Sequence, residues 1–91
     1  MIIWRLNVNG RVQGVGFRRF VQRKAETFKV KGWVRNNADK TVSVEVIGEE
    51  SAVSAFVQEV ERGSLWARVD GLETEFKQHH ESEVPNRFVI L

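Results

Sequence analysis

Two hydrophobic periods meet at residues 10–18, and few folds accommodate the junction. Before it, "IIWRLNVN" alternates: Ile2, Trp4, Leu6 and Val8 fall on one face, Ile3, Arg5, Asn7 and Asn9 on the other. That is the pattern of a half-buried strand. After it the period is helical. Phe17, Phe20, Val21, Ala25 and Phe28 share one face, with Arg19, Gln22, Arg23 and Lys24 outside. Between the two stands "GRVQGVGFR", which holds three glycines, two arginines and a glutamine, but no nucleophile, base or metal ligand.

The remaining elements follow in short order. "VKGWVRN", residues 30–36, reads as a second strand and "TVSVEVIG" as a third, with Val42, Val44 and Val46 inward and Thr41, Ser43 and Glu45 outward. "NADK" between them is a turn, so strands two and three form a hairpin. Gly48 ends the third strand, and Glu49 and Glu50 suit a helix's first turn. Val53, Phe56, Val57 and Val60 make that helix's buried stripe, and Gly63 its stop. "ARVDGLETEF" is a fourth strand whose apolar parity shifts between Val69 and Leu72, which predicts a bulge or twist near Gly71. "KQHHESEVPN" is a polar loop and "RFVIL" a short last strand.

This order predicts an α+β fold of the ferredoxin-like, split βαβ kind: an antiparallel sheet of four strands plus a short fifth, with two helices on one face. One helical crossover joins the first two strands, so they run parallel and their carboxyl ends emerge at the same edge. The glycine stretch leaves one of those ends and Asn36 sits at the other.

At 91 residues the chain is expected to form a single domain, residues 1–91, with a modest core. It contains no cysteine, which excludes disulfides, thiolate metal sites and a cysteine nucleophile. A net charge of +2, with acids scattered among the bases, does not indicate a nucleic-acid protein. Arg5 interrupts the first apolar run, and no signal or membrane-spanning segment is legible. A cytoplasmic enzyme or binding module is the expectation.

A glycine-rich loop entering a helix N-terminus is suited to anions, because backbone N–H groups can converge there and the helix dipole favours negative charge. The loop fits neither the Walker nor the dinucleotide fingerprint: no Lys-Ser or Lys-Thr follows it, and the third glycine is missing. Such a loop can equally be a mere bend between strand and helix. Two facts favour the anion. Arg18 and Arg19 place cations where a helix dipole disfavours them unless an anion joins. Asn36 brings an amide to the same edge.

"GRVQGVGFR" followed by "KGWVRN" strongly resembles the acylphosphatases, and the likeness extends through "VEVIG" to the closing "RFVI". The resemblance implies hydrolysis of acyl phosphates to a carboxylate and inorganic phosphate, without a metal or other cofactor. It implies that Gln13, Gly14, Val15, Gly16, Phe17 and Arg18 cradle the phosphoryl group. Arg18 matches the substrate-binding arginine, and Asn36 the asparagine that positions the attacking water. Inorganic phosphate is then both product and inhibitor, and a monomer with no nucleic-acid or membrane partner is expected. The chain departs from the family at turns. Lys29 and Lys40 replace glycines, each at roughly 1 kcal/mol in a left-handed position. Ser64 replaces a proline, and Asn37 sits where the family often has a hydroxyl residue.

That chemistry needs little from side chains. The departing carboxylate has a conjugate acid of pKa about 4 to 5, so it leaves unaided. The phosphoryl group, with a second pKa near 6, can accept the water's proton. Positioning and charge stabilisation remain for the protein.

Other readings are weaker. Adjacent His79 and His80 point apart on an extended chain and lack a third ligand nearby. Trp33, on a sheet face with Lys31 and Arg35, could stack an RNA base, since RNA readers share this fold. The outward positions of strands one and three carry no paired aromatics to support it. A non-catalytic ligand sensor, or an acylphosphatase-like piece of a larger carbamoyl-transfer protein, completes the alternatives. The scattered glutamates Glu49, Glu50, Glu73, Glu75, Glu81 and Glu83 read as solvated faces.

Overall fold

The computed structural model describes residues 1–77 and 85–91. The elements are β1 (Ile2–Arg11), α1 (Phe17–Phe28), β2 (Lys31–Asn36), β3 (Val42–Gly48), α2 (Glu50–Arg62), β4 (Arg68–Lys77) and β5 (Phe88–Ile90). They build one five-stranded sheet in the order β4-β1-β3-β2-β5. β1 pairs antiparallel with β3 and β4, and β2 antiparallel with β3. β1 and β2 therefore run parallel with β3 between them, and their carboxyl ends share one edge as expected.

The core lies between one sheet face and both helices. Leu6, Val8, Val34, Val42, Val44 and Val46 of the sheet meet Phe17, Val21 and Ala25 of α1 and Val53, Phe56 and Val60 of α2, all buried. The period-two and period-3.6 stripes of the sequence face each other here. The interior is rich in valine, whose β-branched side chains suit a pleated surface. Val57, Phe20 and Phe28 lie at the margin, partly buried.

The four long strands are antiparallel and the fifth is short, as expected. The structure adds the orientation of that fifth strand: β5 runs parallel to β2, pairing Gly32 with Phe88 and Val34 with Ile90. β4 and β5 occupy opposite edges, so the last strand cannot close a hairpin on its predecessor. This places Ile90 and Leu91 at the carboxyl end of β2, beside Asn36.

The bulge expected near Gly71 is present. Asn9 pairs with Gly71 but Gly10 pairs with Val69, so Asp70 is the extra residue. The parity shift between Val69 and Leu72 is its sequence trace. Lys29 and Lys40 both adopt left-handed backbone, with φ of 58° and 76°. Both lysines thus hold a backbone conformation that favours glycine.

The sheet's other face is half covered by long side chains. The Arg5 and Arg35 guanidinium carbons lie 4.8 and 5.1 Å from the Trp33 ring centre, and Lys77 pairs with Glu45 at 3.5 Å. Ile3 and its strand partner Ile47 are buried there too, so the outward row of β1 is not uniformly polar. Among the described residues, no helix is long and apolar enough to cross a membrane. His79, His80, Glu81 and Glu83 lie outside the described residues.

Candidate active site

At the shared carboxyl edge, the residues between β1 and α1 curve over a cavity of about 260 Å³. Its lining includes Gly14, Gly16, Phe17, Arg18 and Asn36, together with Val12, Arg19 and Ile90. Two segments far apart in sequence thus meet where the topology predicted. Gly14 and Gly16 have φ of 75° and 77°, and a Cβ on either would meet nothing within 4 Å. The turn therefore demands glycine for backbone conformation, not for lack of room. Left-handed residues in such a loop are the kind of backbone from which anion-binding concavities are built.

The loop's donors are unspent. Among the described residues, none of the backbone N–H groups of residues 13–18 donates to a protein acceptor. Gly16 is the N-cap of α1 and supplies no capping side chain, and the first turn holds no acidic residue. A helix end in this state leaves its partial positive charge facing the cavity. Arg18 and Arg19 in that first turn add full charges of the same sign. The lining residues include no carboxylate and no imidazole.

Arg18 is held from the far end of the chain. Its Nη1 donates to the Leu91 carbonyl at 3.2 Å, while the Leu91 N–H donates to the Val34 carbonyl at 2.9 Å. Leu91, just past β5, thereby fixes one arm of the guanidinium, and the remaining N–H groups of the fork stay available. Asn36, the last residue of β2, makes no side-chain hydrogen bond among the described residues, and its amide borders the cavity.

The loop residues divide by task. Phe17 is fully buried and anchors the start of α1 in the core. Val15 is not among the residues lining this cavity; it is partly buried against the core and borders a neighbouring cleft. Gln13 does not offer its side chain to the cavity. Its Nε2 donates to the carbonyls of Asn37 and Thr41, each at 2.9 Å, and clasps the loop to the β2–β3 turn. Asn37 in turn donates from Nδ2 to Thr41 Oγ1 at 2.9 Å and Ser43 Oγ at 2.8 Å. Asp39 Oδ1 accepts from the Thr41 hydroxyl at 2.6 Å and from its N–H at 3.0 Å, which holds the Asp39 carboxyl below its ordinary range. The Asn37 amide thus braces the turn through two hydroxyls.

Sequence reasoning found the glycines, Arg18 and Asn36, but missed Ile90 and the Leu91 carbonyl. No local signal says that "RFVIL" pairs with β2, so its place at the site was not readable. The Gln13 clasp was equally hidden, because its acceptors are backbone carbonyls.

An α+β sandwich with a glycine-rich loop over a cationic cavity between its first strand and helix is thereby defined. Comparison with known proteins makes the class specific. The sequence profile of the acylphosphatase family matches residues 4–90. An acylphosphatase of Rhizobium etli is 47% identical over 74 residues, covering 81% of this chain and 79% of that protein. An acylphosphatase of Bacillus subtilis is 46% identical over 69 residues, 76% of each chain. The crystal structure of acylphosphatase from Bacillus subtilis superposes with a TM-score of 0.93 at 40% identity, covering 100% of this chain and 99% of that one. Full-length HypF, in its phosphate- and nucleotide-bound form, matches with a TM-score of 0.86 and 34% identity over 99% of this chain, but only 12% of its own length. The chain belongs to the acylphosphatase family. It is a hydrolase that acts on the acid anhydride bond of acyl phosphates.

Proposed function

We propose that the chain hydrolyses acyl phosphates by positioning and charge alone, with Arg18 and the N–H groups of residues 13–18 on the phosphoryl oxygens and Asn36 on the water. The observation that carries this is a cavity bordered by a glycine loop with unspent backbone donors, an arginine fork and a free amide, and by no carboxylate or imidazole among the described residues. Arg18 suits the role because a planar fork matches phosphoryl oxygens bidentately. The Asn36 amide can accept from water through its oxygen and donate through its nitrogen.

The step balances without a side-chain base. The water oxygen attacks phosphorus, and the bond between phosphorus and the acyl oxygen breaks. The carboxylate leaves with the bonding pair, its conjugate acid having a pKa of about 4 to 5. The water's proton passes to a phosphoryl oxygen, whose second pKa is near 6. Charge spread over the equatorial oxygens is met by the loop donors and Arg18 in a preorganised site.

Inorganic phosphate presents the same oxygens as the substrate, so it binds the same loop and inhibits competitively. The decisive experiment is phosphate release from acetyl or benzoyl phosphate by purified protein with chelator present. Activity is expected to persist and to be inhibited competitively by phosphate. Activity lost to the chelator and restored by a divalent ion overturns the base-free, metal-free mechanism.

A further inference from the structure

A second cleft, of about 540 Å³, opens beside the phosphate cavity between the outer face of α1 and residues 63–66. The two spaces share Gly16 and Arg19 in their linings. Three features of this cleft are unexplained by phosphate binding. Leu65 and Trp66 stand 88% and 73% exposed on one wall, unusual for large apolar side chains in adjacent positions. Phe20 and Val15 line the same space, which makes it largely apolar near the loop. Arg19 and Arg23, one helical turn apart, carry charges that meet no carboxylate among the described residues. The cleft's own acid, Glu59, is already engaged, by Lys24 at 3.2 Å and Arg62 at 3.6 Å.

The in-line geometry of phosphoryl transfer says which substrate part belongs there. Attacking and leaving oxygens lie roughly opposite each other across phosphorus. Asn36, proposed to hold the attacking water, lines the phosphate cavity but not the cleft. A leaving acyl group must depart on a side away from Asn36, and the cleft adjoins the phosphate cavity through Gly16 and Arg19. Its charge then narrows the substrate class. An apolar acyl body fits against Trp66 and Leu65, and a negative substituent at its far end would meet Arg23.

We propose that this cleft is the acyl-group subsite, and that it selects acyl phosphates whose acyl group combines an apolar body with a second anionic group. Trp66 supplies the wall on which the body packs, and Arg23 reads the distal charge. The inference rests on the acyl-phosphate chemistry above, and goes beyond it by naming the part of the substrate that sets preference.

The test compares kcat/KM for acetyl, benzoyl and 4-carboxybenzoyl phosphate in the wild type, Trp66→Ala and Arg23→Gln. In the wild type the order is expected to be 4-carboxybenzoyl above benzoyl above acetyl. Trp66→Ala should lower the benzoyl-to-acetyl ratio by about threefold to tenfold, the range of an aromatic contact. Arg23→Gln should lower the carboxybenzoyl-to-benzoyl ratio by about fivefold, the upper range for a solvent-exposed charge pair. High salt should shrink the wild-type carboxylate preference in the same direction. Both side chains are exposed, and circular dichroism checks that each variant is folded. Ratios identical in wild type and variants overturn the subsite while leaving acyl-phosphate hydrolysis standing. Failure of the wild type to hydrolyse any of the three overturns the hydrolase reading, and the subsite with it.

Discussion

Gln13→Glu isolates the clasp between the phosphate loop and the β2–β3 turn. In the native chain, Gln13 Nε2 gives both of its protons to carbonyls, those of Asn37 and Thr41, at 2.9 Å each. A carboxylate of the same shape has no proton to give and aims negative charge at both oxygens. The carbonyls are not orphaned, because each keeps another donor: Lys40 N–H on Asn37 at 3.2 Å and Asn37 N–H on Thr41 at 2.8 Å. The loss is therefore that of two net hydrogen bonds, about 1 kcal/mol each, without the larger penalty of unpaired acceptors. Repulsion and partial burial of the new charge bring the expected loss to about 2–3 kcal/mol. For a chain of this size, each kcal/mol corresponds to a fall in Tm of about 4–8 °C.

Gln13→Met provides the contrast. It keeps the volume and removes the donors without adding charge, so only the hydrogen-bond loss should appear, about 1–2 kcal/mol. Thermal unfolding followed by circular dichroism measures both, and phosphate inhibition of acetyl phosphate hydrolysis measures the loop. Both variants should bind phosphate more weakly, Glu more than Met, because the loop loses its tether and, in Glu, gains a nearby negative charge. A Gln13→Met protein as stable as the wild type, with an unchanged inhibition constant, refutes the clasp. The loop would then be held by Phe17 and its own backbone alone.

The remaining predictions test other parts of the site and its frame. Asn36→Ala should cut kcat by a factor on the order of 10² with phosphate inhibition nearly intact, whereas Arg18→Ala should weaken phosphate binding and slow turnover together, with lysine a poor rescue; steady-state kinetics with phosphate as competitor separates the two. Lys29→Gly relieves a left-handed lysine, worth about 1 kcal/mol, against a gain in unfolded-state entropy of about 0.4–1 kcal/mol, so thermal melts should show a Tm unchanged or raised by only a few degrees. Asp39 accepts two bonds from Thr41, and its carboxyl is held below the ordinary 3.8. The stability it contributes is therefore complete above pH 3.8 and is lost as pH falls through the lower folded value; Asp39→Asn should flatten that part of the acid-unfolding curve.

Much of this was legible because local pattern and tertiary role agree. The β1 alternation and the α1 stripe each supply one side of the same core, so periodicity alone identified Leu6, Val8, Phe17, Val21 and Ala25. The bulge at Asp70 was visible because an extra residue must flip the apolar parity of everything after it. The glycines of the loop announced themselves through a backbone conformation that other residues resist. What could not be read was contact between distant backbones. The pairing of β5 with β2 rests on ladder hydrogen bonds that leave no sequence trace, and the Leu91 carbonyl that steadies Arg18 carries no side-chain signature. Ile3 misled for a related reason: alternation put it outside, yet it is buried beside Ile47 on the sheet's second face.

The β2–β3 hairpin ties these observations into one mechanical argument. Asn36 is its last residue before the turn, and Asn37, the next, carries the carbonyl that Gln13 grips. The Asn36 amide, proposed to position the water, and the loop proposed to hold the phosphoryl group are therefore referenced to the same short piece of backbone. Thr41 and Asp39 brace that piece from within the turn and Ser43 from β3, and Lys40 completes the turn in a left-handed conformation. An enzyme without a base depends on the alignment of water, phosphorus and leaving group, since misplacement by about 1 Å can cost on the order of a hundredfold. If the hairpin is the common reference, loosening it should lower kcat even where phosphate still binds. Thr41→Ala and Ser43→Ala, which remove partners of Asn37 but touch no substrate, should then reduce kcat more than they raise the phosphate inhibition constant. Equal losses in both would instead assign the hairpin to the loop alone and leave Asn36 independently held by the sheet.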